Sequence, residues 1–239
     1  MSMAGPLAGK TAIVTGASRG IGLAIARRLG RVGCRVVLTA RDAAALEPAA
    51  DELRRAGVAC EAVRGDVAVE AEVRCVVARA VEVFGAVDIL VNNAGVAPLC
   101  AVEQMDDALF QRTLDTNVVG VFRFVRAVWP VMRRSGGGVI VNISSRASQD
   151  PYRGFAVYGA CKAWVNLFTQ ALADEGREVG IRVFAVAPGG VETRMLRDLF
   201  PDVPAEQILQ PDEVAAVVEQ VCRPEMACAS GQTIFVKKQ

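Results

Sequence analysis

Short apolar runs alternate with longer amphipathic runs from one end of this chain to the other. The apolar runs predict seven strands, at TAIVTG (11–16), CRVVLTA (34–40), ACEAVRG (59–65), VDILVN (87–92), GGVIVNIS (137–144), IRVFAVAP (181–188) and QTIFV (232–236). The amphipathic runs predict helices at about 20–32, 42–56, 69–84, 106–134, 155–179 and 211–222. Nearly continuous apolar strands separated by helices are typical of a parallel sheet covered on both faces. The pattern therefore predicts an α/β fold, a doubly wound parallel seven-stranded sheet.

The connections between these elements are short. No proline-rich, serine-rich or low-complexity linker interrupts the βα rhythm, so residues 1–239 are predicted to form a single domain. The longest irregular stretch is 189–210, which carries several apolar side chains. Because a long connection inside a compact domain is often a lid, we expect this segment to cover a substrate.

Composition excludes several classes of function. Charged residues make up 22% of the chain and the net charge is +1, which argues against a nucleic-acid partner. No apolar stretch approaches the roughly 18 residues that span a bilayer, and MSMAGPLAGK lacks the pattern of a leader. The seven scattered cysteines fit neither a disulfide framework nor a zinc site, so we expect free thiols and a cytoplasmic location. The chain has no histidine, which excludes a Ser-His-Asp triad and imidazole metal ligands. No metal site is predicted.

The segment TGASRGIG, residues 15–22, ends the first strand and opens the first helix. The amides at the start of such a helix can face an anion, and a glycine-rich turn there binds the pyrophosphate of a dinucleotide. An alternative is that the glycines only permit close packing of strand and helix. The candidate cofactor contacts in this turn are Gly16, Ser18, Arg19, Gly20, Ile21 and Gly22.

The end of the second strand, LTARD, bears on the choice of cofactor. A site that prefers NAD(H) needs a carboxylate there for the adenosine ribose. Ala40 occupies the predicted acid position, whereas Arg41 and Arg19 could flank a 2′-phosphate. This arrangement favours NADP(H). A shift of one residue would make Asp42 the ribose acid, in which case NAD(H) remains possible.

Tyr158 and Lys162 stand four residues apart in VYGACKAW. Lys162 is the only lysine between Lys10 and the C-terminal pair, in a chain whose other basic residues are nearly all arginine. On a helix this spacing places the phenol and the ammonium on one face, where each can alter the pKa of the other. The alternative is a solvated charge beside a core tyrosine.

Six motifs, in order along nearly the whole chain, resemble those of the short-chain dehydrogenase/reductase family. The motifs are TGASRGIG, then NNAG (Asn92, Asn93, Ala94, Gly95), Asn117 in NVVG, Ser145 in NISS, Tyr158 with Lys162, and PGGVET from Pro188. The resemblance implies a Rossmann-type sheet with strand order 3-2-1-4-5-6-7, a nicotinamide cofactor, and hydride transfer between a carbonyl and an alcohol.

The resemblance also implies a role for each residue. Tyr158 would be the general acid or base and Ser145 would hold the substrate oxygen, while Lys162 would bind the nicotinamide ribose and Asn117 a water that resupplies protons. Asp66 and Val67 would lie at the adenine ring. The contacts beyond the sixth strand would be Pro188, Gly189, Val191 and Thr193.

Several of these residues have simpler interpretations. Ser144 could replace Ser145, although the 13-residue spacing to Tyr158 favours Ser145. Asn117 could be a buried amide that satisfies helix carbonyls. Tyr152 is the rival tyrosine, but no lysine lies four residues after it. Asn92, Asn93 and Asp66 could be turn formers.

The predicted function is NADPH-dependent reduction of a small-molecule carbonyl to a secondary alcohol. Two alternatives remain, namely a 3-oxoacyl-carrier-protein reductase of fatty acid synthesis and a nucleotide-binding regulator without catalysis. Family members are commonly dimers or tetramers, so the resemblance implies a homodimer or homotetramer paired through the helices at 106–134 and 155–179. The ending GQTIFVKKQ departs from the family's usual V-D-G-G tail, which leaves tetramer contacts open.

Overall fold

Seven parallel strands form one sheet in the computed structural model, which describes residues 5–238. The first four residues, which belong to the stretch predicted to carry no leader, lie outside the described range, as does Gln239. Six of the seven strands are one or two residues shorter than the apolar runs that predict them. The strands are β1 (Thr11–Thr15), β2 (Arg35–Ala40), β3 (Cys60–Arg64), β4 (Ile89–Asn92), β5 (Gly138–Ile143), β6 (Ile181–Pro188) and β7 (Thr233–Val236), of which only β6 has the predicted bounds.

The strand order is β3-β2-β1-β4-β5-β6-β7, which confirms the predicted topology. All six neighbouring pairs are parallel, with β1 between β2 and β4. The direction in which strands are added reverses at β1, because β2 lies on one side of it and β4 on the other. In open sheets of this kind the crevice outside the carboxyl ends of the strands at such a reversal is where ligands bind.

Helices cover both faces of the sheet. Their inward side chains form two apolar clusters, one beneath the helices at 20–31, 43–55 and 211–222 and the other beneath the helices at 70–84, 120–134 and 156–176. Strand side chains alternate between the two clusters, as shown by Val14 in the first and Ile13 in the second. No helix between residues 5 and 238 is long and apolar enough to cross a membrane. The helices are α1 (Gly20–Arg31), α2 (Ala43–Arg55), α3 (Glu70–Phe84), α4 (Asp107–Leu114), α5 (Gly120–Arg134), α6 (Ala156–Gly176), α7 (Arg194–Leu199) and α8 (Pro211–Cys222).

The prediction of one unbroken helix over 106–134 is wrong in one respect. A π-helical turn at Asp115–Val119 separates α4 from α5. The side-chain amide of Asn117 donates to the carbonyl of Thr113 over 2.9 Å, and the hydroxyl of Thr116 donates to the carbonyl of Arg112 over 3.0 Å. These side chains compete for carbonyls that an α-helix uses for its own amides, which interrupts the ladder at this point.

The segment 189–210 is less irregular than the sequence predicts, because it contains α7 and a 3-10 turn at Ala205–Gln207. The Thr193 hydroxyl caps α7 by accepting from the amide of Leu196. At the base of the segment, the amide of Leu209 donates to the carbonyl of Gly190 over 2.8 Å. A return bond runs from the amide of Glu192 to the carbonyl of Leu209, also 2.8 Å, so both ends of the segment are joined.

Candidate active site

The glycine turn lies where β1 meets α1, and two of its glycines cannot be replaced without a shift of backbone. Gly16 has φ +63, in the left-handed region. A Cβ on Gly22 would lie 2.3 Å from the Gly16 carbonyl oxygen and 2.5 Å from Nδ2 of Asn93. The turn is therefore closed to side chains on its inner side, and the start of α1 is a cradle in which backbone alone meets a ligand. Ser18 is half-buried and Arg19 is exposed beside it.

The loop after β4 holds the glycine turn in place. The side-chain amide of Asn93 donates to the carbonyls of Thr15, at 2.9 Å, and Gly16, at 3.2 Å. In the other direction, the Thr15 hydroxyl accepts from the amides of Asn93, at 2.9 Å, and Ala94, at 3.0 Å. Sequence reasoning missed Thr15, whose only signal is a hydroxyl at the last position of an apolar strand.

Asn92 lies one residue earlier and has a different environment. It is buried, and its amide donates to Oδ1 of Asn142 on the neighbouring strand over 2.9 Å. Asn142 in turn donates to the hydroxyl of Thr169 on α6 over 2.9 Å. This chain of polar groups connects β4 and β5 to α6 inside the core. Asn92 therefore fixes the strand ends rather than acting as a turn former.

At the end of β2, the carboxylate of Asp42 accepts from the amides of Ala44, at 3.0 Å, and Ala45, at 3.3 Å. It is the N-cap of α2, so its Oδ1 is engaged by the chain itself. Ala40 is the last residue of β2, and Arg41 follows it with an exposed guanidinium.

The loop after β3 carries Asp66 and Val67. Oδ1 of Asp66 accepts from the amide of Ala68 over 2.9 Å, which shapes the turn. Val67 is buried against Gly120 at the start of α5, where a Cβ on the glycine would lie 2.6 Å from the valine methyl. The contact joins this loop to the π-helical turn. Both residues follow the end of β3 and so lie at the carboxyl edge of the sheet.

The two serines after β5 have separate roles. The Ser144 hydroxyl is buried and donates to the carbonyl of Lys162 over 3.1 Å, so it joins β5 to α6. Ser145 is half-buried, accepts from the amide of Ala147 over 3.1 Å, and shares a hydrogen bond with Tyr158. The structure therefore brings together Ser145 and Tyr158 and leaves Ser144 in a structural position. The rival tyrosine, Tyr152, is 71% exposed.

Burial raises the pKa of the Tyr158 phenol, and the hydrogen bond from Ser145 only partly opposes this effect. The four-residue spacing indicates that the Lys162 ammonium and the phenol can alter each other's pKa, and in the chain by itself the pKa of the phenol is raised. The ammonium of Lys162 lies 5.8 Å from the centre of the Tyr158 ring, over its face. At this distance the desolvation of the phenol outweighs the attraction of the cation for phenolate.

Lys162 is 4% exposed, and its ammonium donates to the carbonyl oxygen of Ile143 at the end of β5 over 2.8 Å. Burial lowers the pKa of Lys162 to about 8. In such a place the charge of a lysine depends on its surroundings, whereas an arginine would stay charged.

Asn117 has no exposed surface, and its side chain is fully engaged by backbone. Its amide donates to the carbonyls of Val96 and Thr113, both at 2.9 Å, and its oxygen accepts from the amide of Val96 at 3.2 Å. A Cβ on Gly95 would lie 2.9 Å from that oxygen and 3.7 Å from the Lys162 nitrogen. Asn117 therefore draws the loop after β4 close to Lys162.

The segment beyond β6 closes the other side of the cradle. Pro188 pairs with Val236 of β7, and the amide of Gly189 donates to the Val236 carbonyl over 2.8 Å. The methyl group of Thr193 would lie 3.3 Å from a Cβ on Gly20, so the segment approaches the glycine turn directly. Val191 is buried nearby. The predicted site residues thus lie along one edge of the sheet, at the carboxyl ends of β1 to β6.

Known proteins are similar in sequence over nearly the whole chain. A putative ketoacyl reductase from Streptomyces coelicolor is 39% identical, with 95% of each chain covered. A 3β-hydroxysteroid dehydrogenase 1 from Eggerthella lenta is 36% identical, covering 96% of this chain and 93% of its own.

Solved structures agree closely with the fold. An actinorhodin polyketide ketoreductase with NADPH is similar with a TM-score of 0.92 and 38% identity, covering 99% of this chain and 98% of the other. A 7α-hydroxysteroid dehydrogenase complexed with NADH and 7-oxo glycochenodeoxycholic acid has a TM-score of 0.91 and 32% identity, covering 97% and 94%. The model of the family described as short chain dehydrogenase matches residues 10–204, and the protein therefore belongs to the short-chain dehydrogenase family of oxidoreductases, as its six motifs predict.

Proposed function

We propose that this protein is an NADPH-dependent reductase that converts a small-molecule ketone or aldehyde group to an alcohol, with Tyr158 as the general acid. One observation carries the proposal. The Tyr158 phenol shares a hydrogen bond with Ser145 and lies under the ammonium of Lys162. A protonated donor, a second hydroxyl and a buried cation at the carboxyl edge of this sheet are the groups that carbonyl reduction requires.

The cradle supports a dinucleotide in the crevice. Its inner side has no room for side chains, and the amides at the start of α1 favour an anion such as a pyrophosphate. The nicotinamide, when bound, supplies the hydride for the carbonyl carbon. The residues that would hold the cofactor are Gly16, Ser18, Arg19, Gly20, Ile21, Gly22, Arg41, Asp66, Val67, Asn92, Asn93, Ala94, Gly95, Tyr158, Lys162, Pro188, Gly189, Val191 and Thr193. Asn92 and Asn93 contribute by fixing the loop.

The end of β2 supports NADP(H) rather than NAD(H). Because Oδ1 of Asp42 caps α2, half of this carboxylate is engaged by the helix, which weakens it as an acceptor for two ribose hydroxyls. The exposed guanidinium groups of Arg41 and Arg19 instead suit a 2′-phosphate, since arginine pairs with phosphate through two parallel hydrogen bonds. The structure of the actinorhodin ketoreductase contains NADPH, whereas that of the 7α-hydroxysteroid dehydrogenase contains NADH, so relatives differ on this point.

The protonated state of the tyrosine suits reduction. Because burial raises the pKa of Tyr158, its phenol is protonated at neutral pH and available as a donor. In the proposed step the Tyr158 proton moves to the carbonyl oxygen as the carbon is reduced. Ser145 donates a second hydrogen bond to that oxygen, which stabilises the charge that develops there. Lys162 binds the nicotinamide ribose and, with a cationic cofactor bound, stabilises the phenolate left behind.

We propose that the Asn117 side chain positions the loop after β4 and does not itself bind a water. Both amide hydrogens are engaged by carbonyls, so the side chain has no donor left for a water. Its hydrogen bonds to Val96 place the loop after β4 next to Lys162. A proton relay through a water at this turn, as the family resemblance implies, would have to use another group of the turn, such as a main-chain carbonyl.

The alternative of a 3-oxoacyl-carrier-protein reductase has support from relatives. One such enzyme from Vibrio cholerae is 35% identical over 96% of each chain. Four arginines near the site could bind an acidic carrier protein, namely Arg146, Arg153, Arg194 and Arg197. Three of them pair with carboxylates of their own segments, namely Arg146 with Asp150, Arg194 with Asp198 and Arg197 with Glu192, whereas Arg153 is exposed. This internal neutralisation favours an uncharged ketone.

A second copy of the chain is the proposed partner. Phe122 on α5 is 41% exposed and lies 6.5 Å from the ring of Phe168 on α6, and Leu167 is exposed beside it. An aromatic face of this kind on two neighbouring helices suits a symmetric interface between copies.

The deciding experiment compares Tyr158→Phe with the wild type. The variant should bind NADPH with an unchanged dissociation constant and lose turnover by about 100-fold or more, because the general acid is gone. A panel of ketones, aldehydes and 3-oxoacyl thioesters is assayed by the absorbance of NADPH. Substantial turnover in the variant would remove Tyr158 from the mechanism. A wild type that binds NADPH but oxidises none of it would favour the regulator instead.

A matched experiment tests the cofactor preference. Arg41→Asp replaces the proposed phosphate-binding guanidinium with a carboxylate able to accept from ribose hydroxyls. The ratio of kcat/KM for NADPH to that for NADH should fall by at least tenfold. An unchanged ratio would show that the end of β2 does not choose the cofactor.

A further inference from the structure

Four aromatic rings form a continuous chain from the surface to the proposed acid. Tyr152 lies 5.5 Å from Phe200 between ring centres, Phe200 lies 6.1 Å from Phe155, and Phe155 lies 5.2 Å from Tyr158. The Phe200 and Phe155 rings meet edge to face at 87°, and the other two pairs are tilted. Such geometries are favourable beyond the area that they bury. We call these four residues the aromatic chain.

Phe155 is the most tightly held member of the aromatic chain. Its side chain is 8% exposed, and it stands immediately before α6. Its amide donates to the carbonyl of Tyr152 over 2.9 Å, and its carbonyl accepts from the amide of Gly159 over 2.7 Å. Since the backbone of Phe155 is fixed on both sides, its ring gives the Tyr158 ring a rigid packing surface, and Lys162 also lies over the Tyr158 ring.

Phe200 belongs to the segment 189–210, which is braced from within. The guanidinium of Arg197 donates to both carboxylate oxygens of Glu192, at 2.9 and 2.5 Å. It also donates to the carbonyls of Pro201, at 3.0 Å, and Val203, at 2.7 Å. A segment cross-linked in this way moves as a unit, so the position of the Phe200 ring follows the position of the whole segment.

We propose that Phe155 is a positioning residue for the Tyr158 phenol and that Phe200 couples it to the segment 189–210. When a bound substrate fixes the position of the segment 189–210, the edge of the Phe200 ring packs against Phe155. The Tyr158 hydroxyl is then held within reach of Ser145 and of the substrate carbonyl oxygen. The phenol oxygen lies on the axis of the outer torsion of tyrosine, so its position depends on χ1 and on the helix backbone, and the packed Phe155 ring restricts χ1. An error of about 1 Å at the donor can cost about 100-fold in rate. The inference rests on the proposed role of Tyr158.

The test uses Phe155→Leu, Phe200→Leu and the double variant, with Phe84→Leu as the matched control. Phe84 is a half-buried aromatic residue at the end of α3, where its ring meets Arg35. The substrate is the ketone of the panel that the wild type reduces fastest. The measurements are kcat, KM, the NADPH dissociation constant by fluorescence, and the solvent deuterium isotope effect on kcat.

Each variant in the aromatic chain should lower kcat about two- to tenfold, the range expected for the loss of one aromatic pair, with unchanged NADPH affinity. The solvent isotope effect should rise, because a misplaced phenol makes proton transfer more rate-limiting. The loss in the double variant should be smaller than the product of the two single losses. Phe84→Leu should leave both kcat and the isotope effect as in the wild type.

A kcat and isotope effect within error of the wild type for a folded Phe155→Leu would overturn the positioning role. Multiplicative losses in the double variant would overturn the coupling through Phe200. If Phe155→Leu does not fold, the half-buried Phe200→Leu decides the matter through its isotope effect. Failure of the proposed function appears separately, as turnover that survives Tyr158→Phe.

Discussion

Lys162→Met should make this protein more stable while abolishing its proposed activity. The ammonium of Lys162 is 4% exposed, and burial lowers its pKa to about 8 from the ordinary value near 10.4. At about 1.4 kcal/mol for each factor of ten in proton affinity, holding the charge inside the fold at pH 7 costs about 3 kcal/mol.

Methionine removes this cost but also removes a hydrogen bond. The bond from the lysine ammonium to the Ile143 carbonyl contributes about 1 kcal/mol, and the carbonyl is left without that partner. The free energy of unfolding should therefore rise by about 2 kcal/mol at pH 7, measured by urea denaturation without cofactor. Turnover should be lost because the phenol and the ribose both lose their cation.

The stability difference between Lys162→Met and the wild type should depend on pH. Between about 8 and about 10.4 the unfolded chain binds the lysine proton and the folded chain does not, so the wild type gains stability as pH rises. The advantage of Lys162→Met should shrink across this window. Lys162→Arg is the control, since its charge cannot be released; it should show no gain in stability and severely impaired kinetics. A methionine variant no more stable than the wild type at pH 7 would refute the reasoning.

Two further substitutions test the frame around the site. In Gly22→Ala the new Cβ would lie 2.3 Å from the Gly16 carbonyl oxygen, so NADPH affinity should fall by at least tenfold in a fluorescence titration; Gly5→Ala, with open space around its Cβ, should have no effect. Glu219 on α8 is buried and forms an ion pair with Arg28 on α1 over 2.5 Å. Burial acts to raise the pKa of Glu219, but its arginine partners outweigh this effect, and the net result is a lowered pKa. In Glu219→Gln the free energy of unfolding should therefore fall by about 2 kcal/mol at pH 7. The difference from the wild type should shrink as pH falls below the ordinary glutamate pKa, because Glu219 contributes this stability only while its carboxylate is charged. Equal urea midpoints at pH 7 would contradict this.

The sheet could be predicted from the sequence because each strand is a run of apolar β-branched residues that a helix pattern follows. The strand order came from the family resemblance, since periodicity does not choose neighbours. The π-helical turn at Asp115–Val119 escaped prediction because it depends on where the Asn117 amide points. The helix α7 was missed although Thr193 before Leu196 and Leu199 is an N-cap signal.

In the candidate site, too, the sequence predicts which residues come together but not which partners their side chains bind. The spacing of Tyr158 and Lys162 predicts that they share a helix face, and they do. It does not predict that the Lys162 ammonium bonds the Ile143 carbonyl, or that desolvation dominates the tyrosine pKa. Those outcomes depend on burial and on contacts distant in sequence. Asp42 is an intermediate case, since an aspartate before a run of alanines already indicates a cap.

The hydrogen bonds from Asn93 to the Thr15 and Gly16 carbonyls have an electrostatic and an entropic consequence. A peptide carbonyl oxygen repels a nearby anion, and here the Asn93 side-chain amide donates to two such oxygens and so offsets part of their negative charge. Because these bonds belong to the folded chain, the conformational entropy of the turn is lost on folding and not on association. Nucleotide affinity and melting temperature should therefore fall together in any variant that loosens Asn93, and a binding enthalpy measured by calorimetry should contain little contribution from loop ordering.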